Sequence, residues 1–459
     1  MVKHSNVQHE HLEGLTMNLS KNFRYISTFL AVLLLVLFSS CSLDVTDPNS
    51  ASEESVLNTP EGITALAVGI QQNYAMNVFH RQVFATAVTA REMAVNNTFA
   101  NLVELELGGQ DLSGDNESLI GWWSNAYKVI GMAEDLIENT PNVKMDPGTK
   151  SGIIALAKLI KAMTLGGLAT GWEKLPVNTQ TDGKAPFKTR EEALQTAIQL
   201  LEEAKSEIAA TPPSSEFNSK ILNQGLDLAN TINAYLARFR LFVGDYSGAI
   251  QAAQSVDLSV ASMFVYDDLN QNPFWNNTHV TTNYAPRDFF GVTYPDADTT
   301  DARLTFFMSP ADAQSNPHGY PIENWNSPFY ASATASVPVY VPGEMHLIMA
   351  EAYLNQGNIT EAINHINAVR TKQPQDDPLG IGANLAPYSG AATADAVKEE
   401  IFRQRAAELF GQGLRLEDSR RLGQPGPDPN DPDKRSRNFY PYPSNERQNN
   451  PNTPPDPAI

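Results

Sequence analysis

The sequence predicts a mainly α-helical protein in which a scaffold of helical repeats packs against a loop-rich half with short strands. Three observations predict it. Apolar residues recur at helical spacing in several segments, two later stretches superimpose without a gap, and the segment from about 264 to 343 has no sustained period.

The chain of 459 residues is long enough for a large core, and residues 59–459 read as one domain. With 42% hydrophobic residues it is not a disordered class. Lys and Arg number 32 against 52 Asp and Glu, a formal net charge of −20, which argues against a nucleic-acid partner. Such a charge also repels anionic lipid headgroups. The single cysteine, Cys41, excludes an intramolecular disulfide and a Cys-based zinc cluster.

Lys21 and Arg24 precede an apolar run, Phe29 to Phe38, followed by Ser39-Ser40-Cys41. That order is a secretory signal, residues 1–40, with Met17 as a plausible true start. As a helix the run would span about 15 Å, roughly half a bilayer core, too short to anchor the chain. Small residues before the only cysteine resemble a bacterial lipobox, so Cys41 is the expected lipidation site. Phe38 stands where that motif usually has Leu, and an ordinary signal with an incidental cysteine is the other reading. Residues 41–58 are polar and aperiodic, a tether.

Thr59-Pro60-Glu61 supplies an N-cap, a first-turn proline and an acid, so a helix starts there. Apolar stripes follow at Ala126, Ile130, Ala133 and Ile137, at Ile153, Leu156, Ala157 and Ile160, and at Leu194, Ala197, Ile198 and Leu201. Thr189 with Glu192 forms a capping box before the third.

In the superimposable stretches Ala237 falls on Ala350, Gly244 on Gly357 and Ala249 on Ala362. Each is an apolar helix, a glycine turn and an alanine-led helix, a helix-turn-helix unit of tetratricopeptide type. Repeats therefore occupy about 59–255 and 343–422. Residues 264–343, rich in Asn, Pro, Asp, Thr and aromatics, read as long loops with short strands and as the ligand region. The Pro-rich tail from Gly423, residues 423–459, is not expected to be helical; Phe439, Tyr440 and Tyr442 give it anchors for docking.

At this point the chain resembles the SusD/RagB family of nutrient-binding outer-membrane lipoproteins, from its lipobox to its end. Trp123-Ser-Asn-Ala-Tyr127-Lys-Val-Ile130 is similar to the family's W-x3-Y-x2-I helix, and Gly171-Trp172-Glu-Lys-Leu175-Pro176-Val177 to its glycine-to-proline turn, with extra residues between. Arg405, Glu408, Gly413, Arg415, Asp418 and Arg421 follow the R-x2-E-L-x2-E-G-x-R-x2-D-x2-R signature, with Gln412 in place of its glutamate, a change expected to affect packing. Tyr440-Pro441-Tyr442-Pro443, Glu446 and Asn450-Pro451 resemble the closing motif. The resemblance implies a tetratricopeptide-like scaffold, and a lipid-anchored protein on the extracellular face of the outer membrane. Its implied partner is a TonB-dependent, SusC-like barrel, to which it passes an oligosaccharide or peptide nutrient without reacting with it.

Sugar binding needs aromatic faces for C–H surfaces and planar polar groups for hydroxyls. The loop region offers Trp275 with Asn276, Tyr284 with Arg287, Tyr320, Trp325 with Asn326, and Tyr330. The loop Asn96-Asn97-Thr98-Phe99 adds Asn97 and Phe99, since the matching segment carries ligand contacts in some family members. Trp275 and Trp325 lead these candidates. Trp122, Trp123, Tyr235, Phe239 and Tyr353 are expected in the core.

Catalytic patterns fail. Gly244-Asp-Tyr-Ser247-Gly248 places its serine one position late for a nucleophile elbow, Gly380 to Gly382 lacks a third glycine, and no H-E-x-x-H occurs. His346 and His365 are possible neighbours in one repeat. Asp428, Asp431 and Asp433 lack the EF-hand pattern. No catalytic residue, metal or cofactor is expected. A tetratricopeptide-type protein-interaction scaffold and an exported hydrolase remain as other readings.

Overall fold

Helix α1 (Pro60–Asn73) begins where Thr59 Oγ1 accepts from Gly62 N at 3.2 Å, with Pro60 in the first turn. The computed structural model describes residues 56–180, 182–309 and 316–459; the signal, Cys41 and most of the tether lie outside the described residues. Through a π turn, Tyr74–Phe79, α1 continues into α2 (His80–Thr89). Strand β1 (Met93–Val95) and α3 (Ala100–Leu107) follow, then the long helices α4 (Glu117–Asn139) and α5 (Pro147–Gly171).

Helix α5 is apolar around nearly its whole circumference because it runs through the centre of the core. Its mean hydropathy of 1.6 would suit a membrane span, but 89% of that window is buried inside the protein. A ribbon of β2 (Lys174–Pro176) and β3 (Phe187–Thr189) leads into α6 (Arg190–Ala210), whose N-terminus carries the capping box of Thr189 and Glu192.

The two superimposable stretches are helix pairs. One is α7 (Leu228–Phe242) with α8 (Tyr246–Gln254). The other comes after the loop region, α10 (Gly343–Asn355) with α11 (Ile359–Arg370). Their turns use Gly244 and Gly357 at φ +78° and +79°, the left-handed conformation that glycine adopts without strain. Helix α8 packs on α10, so the two units stack as successive repeats. The fold is mainly helical and tetratricopeptide-like.

Between the two pairs, β4 (Met263–Phe264) pairs antiparallel with β8 (Val337–Pro338), so the loop region leaves and re-enters the scaffold at one ribbon. Within it lie β5 (Tyr284–Pro286), α9 (Ala302–Phe307), β6 (Met308–Ser309) and β7 (Asn324–Trp325). Strand β5 pairs with β1, Val95 opposite Tyr284, and β6 pairs with β7.

Buried ion pairs join the two halves. Arg303 of α9 reaches Asp301 at 2.7 Å and Glu408 at 3.1 Å, and Glu408 also receives Lys372 at 2.5 Å. Glu408 ends α12 (Ala394–Glu408), and Arg405 one turn earlier holds Asp418 of α13 (Arg415–Arg421) at 2.8 Å. Gln412 is buried beside this network with its side-chain oxygen unpartnered.

The tail departs from expectation in one respect: Ser444–Asn449 forms a short helix, α14. Pro443 ends the proline run and Ser444 to Asn449 contains none, so one helical turn is free to form before Pro451. Tyr440 and Tyr442 are buried among Trp122, Trp123, Trp172 and Phe187, and Trp172 Nε1 donates to the Pro441 carbonyl at 3.0 Å.

Candidate functional site

Pairing of β1 with β5 sets two loops side by side. Asn96 N donates to the Asn283 carbonyl at 2.7 Å, and a line of amides continues from it. Asn97 Nδ2 donates to Asn283 Oδ1 (2.5 Å), Asn283 Nδ2 to Asn277 Oδ1 (2.9 Å), and Asn277 Nδ2 to the Pro273 carbonyl (2.8 Å). Asn97 Oδ1 also accepts from Phe99 N at 3.0 Å, which holds Phe99 at the start of α3 with 60% of its surface exposed.

Beneath these loops lies a cleft of about 210 Å³, walled by Phe99, Asn101 and Ser118 on one side and Asn277, Asn283 and Tyr284 on the other. His80, Arg81 and Phe84 of α2 form its floor. The Tyr284 ring stacks on Phe84 at 4.2 Å and 8°. Burial, then the charge of neighbouring Arg81, pushes His80 down to about 3, so its imidazole is neutral. The cleft is below the roughly 300–1,000 Å³ of sites that enclose a ligand, and suits part of an extended molecule lying across it.

Four of the residues singled out from sequence, Asn97, Phe99, Trp275 and Asn276, belong to the two loops around this cleft. Trp275 is half-buried and Asn276 exposed in the turn that leads to Asn277. Tyr284 contributes its edge, but its ring is buried against Phe84 and offers no free face.

Trp325 and Tyr330 stand differently from expectation. Trp325 Nε1 donates to the Tyr284 carbonyl at 2.8 Å, and its ring packs on Tyr330 and Phe410. Tyr330 is buried, stacked on Phe274 at 4.8 Å, with its hydroxyl donating to the Gly411 carbonyl at 3.1 Å. Both pin the loop region to the scaffold, because the loops carry too few aliphatic residues to bury otherwise. Asn326 is exposed and bonded to the Thr305 carbonyl.

Arg287 and Tyr320 line a second, larger cleft of about 630 Å³ beside the tail. There the Arg287 guanidinium lies 5.2 Å from the Tyr320 ring, donates to the Pro432 carbonyl at 2.9 Å and faces Asp433 at 3.4 Å. Its other cations are engaged likewise: Arg415 donates to the Phe290 carbonyl (3.0 Å), Arg435 to the Gly426 carbonyl (2.8 Å), and Lys434 pairs with Asp431 (2.9 Å). Arg287 is thus a buried strut for the tail. Among the described residues no group of three or more His, Cys, Asp or Glu side chains stands together as a metal site.

Sequence reasoning missed Arg81, Asn101, Ser118 and Asn283. Arg81 carried one available signal, the only Lys or Arg in α2, whose remaining turns are largely apolar.

Residues 309–456 match the model of the SusD family. The fold over most of the chain is that of solved SusD superfamily proteins. One from Bacteroides thetaiotaomicron VPI-5482 superimposes with a TM-score of 0.67 at 15% identity, covering 86% of this chain and 99% of that one. Another from Bacteroides vulgatus ATCC 8482 gives 0.64 at 18% identity, covering 86% and 98%. The chain is thus similar to the SusD family in sequence over residues 309–456, and in fold over most of its length. A SusD-like carbohydrate binding protein, also from Bacteroides vulgatus ATCC 8482, shares this SusD-family fold with a TM-score of 0.61 at 14% identity, covering 80% and 84%. The SusD-like protein P2 of Formosa agariphila is 25% identical over 241 residues. That match takes in 51% of this chain and spans less than half, 46%, of that relative's length.

Proposed function

We propose that this chain binds a nutrient glycan in the Phe99 cleft, as a lipoprotein of SusD type anchored through Cys41 on the cell surface, and delivers it to a TonB-dependent outer-membrane barrel. The observation that carries the reading is an exposed aromatic ring held over a line of amides. Phe99 offers a face to the C–H side of a sugar, and Asn101, Asn277 and Asn283 offer planar donors and acceptors to its hydroxyls, with Asn97 bracing Asn283 and Phe99 from behind. Trp275 and Asn276 extend the surface along a chain of sugars. The kinship with a carbohydrate-binding SusD-like protein supports the choice of ligand.

The protein binds without catalysis. Hydrolysis of a glycosidic bond needs two carboxyl groups flanking it, and the residues lining the Phe99 cleft include none. A shallow cleft made of one ring and several amides holds its ligand loosely enough to release it to a transporter.

The test is a glycan array probed with the purified chain, followed by titration of the best binders and analysis of the recovered glycan. Retention that Phe99→Ala abolishes, with the glycan recovered intact, is the expected result. Retention unaffected by Phe99→Ala, or a shortened glycan, would overturn the reading.

A further inference from the structure

Arginine is costly to bury without a partner, and this chain, at −20, has carboxylates to spare. Every other arginine among the described residues has a carboxylate or a backbone carbonyl at hydrogen-bonding or ion-pair distance. Arg81 is half-buried, its guanidinium has neither among the described residues, and its Nε is shut away from solvent with none of them to donate to. It stands on the floor of the Phe99 cleft, where the residues around it are amides, hydroxyls, rings, Leu102 and the neutral His80.

The guanidinium is held there by shape. It lies against Gly121 of α4, where a Cβ would come within 2.6 Å of Arg81 Nη1, so only a glycine leaves it room. The wall is completed by Asn101 Nδ2 donating to Ser118 Oγ at 3.3 Å. A cation is thereby positioned in a cleft whose lining supplies no counter-charge.

We propose that the Phe99 cleft selects an anionic sugar, whose ring lies on Phe99 and whose carboxylate or sulfate group takes the place of the missing partner of Arg81. This rests on the glycan-binding reading and adds its charge class. Both groups match the planar fork of a guanidinium, which forms paired, charge-assisted hydrogen bonds to them. The overall negative charge repels an anionic glycan at a distance, but salt screens that repulsion beyond about 8 Å at physiological strength. The Arg81 contact forms within the cleft and is screened much less.

Titration at physiological ionic strength with oligogalacturonides, carrageenan oligosaccharides and neutral laminari-oligosaccharides of equal length separates the possibilities. One charged series is expected to bind roughly tenfold or more tightly than the neutral one, the value of a charge-assisted bond. Which series it is identifies the group as carboxylate or sulfate. Arg81→Gln should reduce that series to the neutral level, and Arg81→Lys should fall between.

Gly121→Ala provides a variant that keeps the charge and the helix. Its new methyl meets only the flexible end of Arg81, so the fold persists while the fork is displaced, and the preference for charge should shrink. Neutral sugars bound as tightly as both charged series, or a preference that survives both Arg81→Gln and Gly121→Ala, would overturn the proposal while Phe99-dependent binding of neutral sugars keeps the broader reading. Failure to retain any glycan, with Phe99 intact, would remove both.

Discussion

Trp123 Nε1 donates to Glu446 Oε2 at 3.1 Å, which ties the second turn of α4 to the C-terminal tail 323 positions later. The same indole packs edge-on against Trp172 at 5.0 Å and Tyr442 at 6.3 Å. The proline-rich tail is therefore part of the core. Trp123→Ala should cost about 3–5 kcal/mol of unfolding free energy, as for a buried indole. Glu446→Ala should cost about 1–3 kcal/mol by orphaning the indole N–H. Denaturant midpoints check both, and an unchanged midpoint in either variant would show that the tail is only loosely attached.

Phe99 and Trp325 should separate binding from stability. Phe99 is exposed, so Phe99→Ala should shift stability by no more than about 0.5 kcal/mol while weakening glycan retention. Trp325→Ala should cost about 3 kcal/mol, because its ring and N–H are both used inside the fold. Paired melting curves and titrations decide the matter, and equal destabilisation by the two changes would place Phe99 in the core.

Glu92 predicts a pH dependence. It is buried, one oxygen accepts from Gly411 N at 3.0 Å and the other has no partner. Burial pushes its carboxyl from 4.5 up to about 7, against the lowering effect of Arg415. Because the folded state holds this proton more tightly than the unfolded chain, its contribution is complete below pH 4.5. It is lost as pH rises to about 7. Glu92→Gln, fixed in the neutral form, should be about 2–3 kcal/mol more stable than the parent at pH 8 and equal to it near pH 4.5. A stability difference that does not change between those pH values would show that Glu92 titrates normally.

Glu408 joins the loop region to the scaffold through Arg303 and Lys372 and is fully buried. Removing it leaves two cations facing a dry interior, so Glu408→Ala should cost about 3–5 kcal/mol. Chemical denaturation measures this, and a change below about 1 kcal/mol would mean that water or Asp377 replaces the lost charge.

Local pattern determined much of this protein. Helix starts at Thr59 and Thr189 and the twin glycine turns at Gly244 and Gly357 follow from spacing and capping, and the core placement of Trp122 and Trp123 from their resemblance to the W-x3-Y-x2-I helix. These are short-range effects, set by the backbone's own hydrogen bonds and by which face of a helix is apolar. What only the tertiary structure decided is which aromatic residues face water. Sequence placed Trp325 and Tyr330 among the ligand residues beside Phe99, since the same ring serves a core and a sugar equally well. Pairing of β1 with β5 brought Asn97 to Asn283 across 186 positions, left Phe99 outside, and set Arg81 beneath it without a counter-charge. Burial and the presence of a partner belong to distances between remote residues, which no local periodicity encodes.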